Sequence, residues 1–140
     1  MLRQTIGQLS VRTDGRGFTD ITGRVQQQVA QAGIATGLCT LHLQHTSASL
    51  VIQENADPDV RTDLEAYFDE IAPEAPGRYV HDSEGPDDMP AHIRAALTQV
   101  SLGIPLAGGR LVLGTWQGIY LFEHRRRPHR REVVLHLIGE

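Results

Sequence analysis

Four short extended segments close the chain, and they limit its possible folds more than any other feature: residues 101–106, 110–114, 119–124 and 132–138. Each is rich in Leu, Ile or Val and bounded by glycine, proline or charged residues, the signature of strands rather than helices. Ala107-Gly108-Gly109 between the first two signals a hairpin. Residues 2–12 mix apolar and polar positions as an opening strand, a turn follows at 14–17, and 18–21 read as a short second strand. In residues 37–45, Leu41, Leu43 and His45 alternate onto one strand face, and 49–53 continue as another extended piece after a bend.

Between these strands lie three helical patterns. Thr22 is a plausible N-cap for a helix carrying Val25, Val29 and Ala32, stopped by Gly33. Asp57-Pro58 starts a second helix, with Asp57 as cap and Pro58 at the first helical position, and Pro73 ends it. Its apolar face is Val60, Leu64, Phe68 and Ile71. Asp88 can cap a third helix beginning near Met89 and Pro90, with Ile93, Leu97 and Val100 facing inward. Strands at both ends with helices between them predict an α+β domain of largely antiparallel sheet. At 140 residues with no linker or repeat, residues 1–140 read as one domain.

Composition excludes several classes. No run approaches the ~20 apolar residues of a membrane span. The first residues lack a signal-peptide hydrophobic region, so the cytoplasm is the expected compartment. Cys39 is the sole cysteine, which rules out an internal disulfide and a thiolate zinc site; its apolar surroundings suit a small core residue. A net charge of −4 does not indicate a general nucleic-acid binder. Acids predominate from 54 to 88, whereas residues 125–131 carry five arginines. That basic stretch suits a phosphate-bearing ligand or RNA, an exposed hairpin loop, or pairing with acids on another subunit.

The chemistry concentrates in residues 81–92, where His81 and His92 flank Asp82, Glu84, Asp87 and Asp88. Gly85, Pro86 and Pro90 keep its first part irregular, and a polar loop framed by packed elements is a common place for a site. Imidazole and carboxylate suit zinc, manganese, nickel or iron. His92 is expected in the first turn of its helix, where the positive helix end favours a neutral ring. His45 ends a strand and is the third candidate ligand. The spacing matches no standard local metal motif. His45-Thr46-Ser47-Ala48-Ser49 sets an imidazole beside three hydroxyls, better suited to gripping phosphate oxygens than to a nucleophilic pair. The glycine-rich stretch 108–118 lacks the lysine and spacing of a P-loop. Trp116 within it reads as core or interface.

Residues 45–58, Tyr79-Val80-His81, Glu84-Gly85, Ala91-His92 and the stretch Leu113-Gly114-Thr115-Trp116-Gln117-Gly118-Ile119-Tyr120 resemble the YjbQ-type family. Its members are commonly described as secondary thiamine-phosphate synthase enzymes. The resemblance covers nearly the whole chain. It implies a compact α+β fold with sandwich-like packing of sheets, a homotrimer, and a site near a subunit boundary. By matching positions, His45, His81 and His92 become metal-ligand and catalytic candidates, joined by Glu84. Asn55, Asp57 and Asp63 match further polar positions, and with Thr46 and Ser47 they are candidates for substrate binding. His42, His124, His129 and His136 are not carried over.

The activity implied by the resemblance joins a pyrimidine-methyl diphosphate to a thiazole phosphate and releases diphosphate; the qualifier "secondary" leaves room for a promiscuous side reaction. Such chemistry needs a divalent cation such as zinc, manganese or magnesium beside the leaving diphosphate, and no organic cofactor. Two rival expectations stand beside it. One is a metal-dependent hydrolase of a phosphorylated metabolite. The other is a non-enzymatic metal- or anion-binding protein whose arginine loop docks a partner.

Overall fold

The computed structural model describes residues 1–140. In chain order it contains β1 (Arg3–Thr13), β2 (Gly17–Asp20), α1 (Thr22–Ala32), β3 (Gly37–Leu43), β4 (Ala48–Glu54), α2 (Pro58–Ile71), α3 (Asp88–Leu97), β5 (Ser101–Ala107), β6 (Arg110–Leu111), β7 (Gln117–Glu123) and β8 (His129–Gly139). The expected α+β class and sandwich-like pair of sheets are both present. One sheet runs β1-β8-β3-β5-β6 and the other β2-β7-β4, with every paired strand antiparallel.

Period-two alternation decides which face each strand buries. β8 turns Arg131, Val133, Leu135 and Leu137 inward, opposite Cys39, Leu41 and Leu43 of β3. These meet Leu50, Ile119 and Leu121 of the second sheet, and Val25 and Val29 of α1, in one core. Each large aliphatic side chain so buried contributes roughly 1.5–3 kcal/mol. Cys39 lies there as expected, and burial pushes its thiol up to about 11.

Local signals placed most boundaries. Gly33 caps α1 in the left-handed region, and the Asp57 carboxylate accepts from the Asp59 N–H at 2.9 Å. Gly108 and Gly109, both at positive φ, close the β5–β6 hairpin, as a two-residue turn of this kind requires. The N-cap of α1 differs from expectation. Ile21 occupies it, and the Thr22 hydroxyl donates instead to Asp20 Oδ1 while accepting from the Ile119 N–H.

Three further expectations fail for tertiary reasons. The arginine-rich stretch is not a hairpin loop, because β7 and β8 belong to different sheets and the loop crosses between them. Trp116 is 62% exposed, which removes the core half of its core-or-interface reading. In α3 the buried residues are Asp88, Pro90, Ala91 and Arg94, while Leu97 is exposed. That helix turns its charged face inward because Arg94 reaches Asp69 of α2 and Asp88 reaches Arg125. No residue of α2 is buried; Phe68 packs edge-on against Phe122, and both line an apolar cleft of about 460 Å³ with Leu64 and Phe18. No helix is long and apolar enough to cross a membrane.

Candidate metal centre

α3 starts at Asp88, preceded by Asp87, which makes no side-chain cap bond. Residues four apart share a helix face, so Asp88 and His92 project together. The glycine- and proline-broken loop before α3 brings His81 back onto the same spot. His81 Nε2 lies 2.7 Å from Asp88 Oδ2 and His92 Nε2 lies 3.2 Å from the same oxygen. One donor atom from each of the three falls within 4.8 Å of the others. The imidazoles are partly exposed while the Asp88 carboxylate is buried. Glu84 stands beside them, with Oε2 3.0 Å from His81 Nε2.

Arg125, at the start of the arginine-rich loop, clamps the acidic side of this group. Its Nη1 donates to Asp88 Oδ1 at 2.6 Å, its Nε to Asp87 Oδ2 at 2.9 Å, and its Nη2 to the Glu84 carbonyl at 2.9 Å. The Arg126 N–H also donates to Asp87. Burial pushes the Asp88 carboxyl up, but the hydrogen bond with His81 and the charges of Arg125 and His92 outweigh it and hold Asp88 below the usual range. Asp87 follows the same pattern, with Arg125 and the Arg126 N–H outweighing burial. Hydrogen bonding to Asp88 lifts the His81 imidazole above its ordinary value, against the opposing effect of burial. The centre is therefore an ionised carboxylate fixed on one side by a guanidinium and flanked on the other by two reachable imidazoles.

His45 does not join His81 and His92. Its Nε2 accepts the Glu132 N–H at 2.8 Å, and its Nδ1 faces Arg131, so strand packing engages both ring nitrogens. Burial, then the Arg131 charge, lower its proton affinity. His45 does share an open cleft of about 510 Å³ with His92, lined also by His42, Thr46, Ala95 and Val100. His92 stands one turn into α3, not in its first turn, because the helix begins at Asp88.

The other candidates disperse. Ser47 accepts from Arg131 Nη2 at 2.9 Å. Ser49 is fully buried and hydrogen-bonds His124 Nε2 at 2.9 Å. The Asn55 amide donates to the Thr115 and Gln117 carbonyls, tying down the loop before β7. Asp57 caps α2, and Asp63 sits exposed on that helix. Missing from the sequence reading were the roles of Asp88 and Arg125. The Asp88–His92 spacing within a predicted helix was a usable signal; nothing local pointed to Arg125.

The sequence matches the family described as UPF0047 protein YjbQ-like over residues 7–140. This chain belongs to that family. It is 55% identical over 132 residues to UPF0047 protein sll1880 of Synechocystis, covering 94% of this chain and 90% of the relative. It is 44% identical over 133 residues to UPF0047 protein YjbQ of Escherichia coli O157:H7, covering 94% and 96%. Among solved structures, a YbjQ-like protein of unknown function from Sulfolobus solfataricus superposes with a TM-score of 0.92 at 26% identity, covering all of both chains. These findings overturn the expectation of a thiamine-phosphate synthase. The family and these relatives carry no synthase name, and the solved structure is described as a protein of unknown function.

Proposed function

We propose that His81, Asp88 and His92 hold a divalent cation, and that the protein is a metal-dependent hydrolase of a small phosphorylated molecule bound in the adjoining cleft. The observation that carries this reading is the convergence of two imidazoles and one ionised carboxylate within 4.8 Å at an accessible surface. Two histidines and a carboxylate suit a first-row transition ion and leave coordination positions for water and substrate. A cation bound there would acidify its water and polarise a phosphoryl oxygen.

The chain's own groups support the rest. Arg125 fixes Asp88 so that one carboxylate oxygen stays turned to the imidazoles, the outer-shell support expected of a metal ligand. The cleft beyond His92 is lined by imidazoles, Gln44, Thr46 and aliphatic residues with no carboxylate, so it does not repel an anion. Glu84 is the exposed carboxylate beside the donor set and takes the general-base role in this reading.

The test is metal content after loading with zinc, manganese or magnesium, in wild type and in His92→Ala and Asp88→Asn, followed by a phosphatase screen of the loaded proteins. Near one ion per chain in wild type, lost in both variants, with metal-dependent phosphate release, is the expected result. Equal metal in wild type and Asp88→Asn would sink the proposal.

A further inference from the structure

The arginine-rich loop divides into two sets. Arg125 pairs with Asp87 and Asp88, Arg126 with Glu74, and Arg131 is buried against Glu123. Arg127 and Arg130 are exposed and have neither a carboxylate within 4.0 Å nor a side-chain hydrogen bond. A third arginine joins them from the far end of the sequence. In the β1–β8 ladder Arg12 stands directly opposite Arg130, and it too lacks an acidic partner. Directly opposed residues on antiparallel strands hold their side chains on one face, and like charges in that arrangement destabilise the sheet. The neighbouring pair on the same face shows the alternative, since Ser10 donates to Glu132 at 3.0 Å.

Around the Arg12–Arg130 pair lies an open cleft of about 190 Å³ lined by Arg12, Pro128, His129 and Arg130. His129 has the strand parity of Arg131, and its Nδ1 lies 2.7 Å from the Arg127 carbonyl and 4.0 Å from the buried Glu123 carboxylate, so its ring turns to the inner side and leaves the outer face to the two arginines. The lining contains no acid and no aliphatic side chain other than the proline. This concentration of unneutralised guanidinium occurs on a chain of net charge −4.

We propose that the opposed pair Arg12 and Arg130 forms an anion site for a compact, multiply charged phosphate such as a diphosphate or triphosphate group. Guanidinium forks match phosphate oxygens in pairs. The cleft is one small recess rather than a basic track, so a small phosphate fits it better than a nucleic-acid strand. The site is separate from the proposed metal centre and does not depend on it.

Inorganic pyrophosphate titrated calorimetrically into the full chain without added metal tests this, using wild type, Arg12→Gln/Arg130→Gln and Asp88→Asn. All the substituted arginines are exposed, so folding is not at stake. Wild type and Asp88→Asn should bind alike, the arginine double variant at least tenfold more weakly, and wild-type binding should weaken as salt rises. Equal binding by the double variant, or none by wild type at low salt, overturns the site. Binding lost in Asp88→Asn but kept in the double variant would place pyrophosphate at the metal centre instead, and a single-stranded RNA bound more tightly than pyrophosphate would overturn the small-ligand assignment.

Discussion

Two carboxylates of this protein, Glu123 and Asp88, meet arginine and histidine in opposite ways. Glu123 is fully buried and saturated: it accepts from Arg131 Nε at 2.7 Å, Thr13 Oγ1 at 2.7 Å, the His124 N–H at 3.0 Å and the Arg125 N–H at 3.1 Å. Asp88 is also buried, but its partners include two imidazoles that open to solvent and have coordination capacity to spare. The same residue types thus build a structural bracket in one place and a candidate site in the other. What separates them is whether the partners' remaining valences point into the core or out of it.

The largest expected effect lies at the bracket. Glu123→Ala leaves Arg131 buried without its counter-charge and should cost ~3–5 kcal/mol in urea denaturation. Asp88→Ala should cost about 1 kcal/mol, since Arg125 keeps Asp87 and the imidazoles reach water. Comparable losses at both positions would erase the distinction.

Acid should act through the buried side. Burial, then the Arg94 charge, lower His124 from 6.5 to about 3. The unfolded chain therefore takes up this proton while the folded chain does not, and stability falls between those pH values at about 1.4 kcal/mol per pH unit. Burial of Glu123 is outweighed by hydrogen bonds from Arg131 and Thr13, so its carboxyl stays below 4.5 when folded. Its contribution is present above pH 4.5 and is lost as the pH drops through the lowered folded value. Urea midpoints measured from pH 7 down to pH 4 should fall steadily, and His124→Leu should flatten the upper part of that slope. A midpoint independent of pH in this range would show that His124 is not held neutral as described.

Two further variants sharpen the other side of the comparison. Arg125→Ala frees one oxygen of Asp88 and should weaken metal binding about 10–100-fold while leaving fold stability within ~1 kcal/mol. Asp63→Ala, on the exposed face of α2, should change either quantity by less than ~0.5 kcal/mol. Unchanged metal affinity in Arg125→Ala would remove the guanidinium from the site.

The legible parts of the molecule follow one physical division. Local rules act through neighbours in sequence, and they made most elements legible, although the caps expected at Thr22 and Asp88 each fell one residue late. The aliphatic run 132–138 marked β8, Asp57-Pro58 marked the start of α2, and Gly108-Gly109 marked a turn, because each depends on the residue's own backbone or on partners within four positions. His81 and His92 could be nominated on the same basis. Tertiary structure alone decided that β7 and β8 lie in different sheets, that α3 buries Asp88 and Arg94 rather than Leu97, and that His45 serves strand packing apart from the other two histidines. It also decided which arginines are spent and which are left. Arg125 reaches Asp88 across 37 positions, Arg131 is committed to Glu123, and Arg12 meets Arg130 across the whole chain. Charge pairing over such separations is selected by how the sheets stack, and the stacking is a property of the assembled core rather than of any segment.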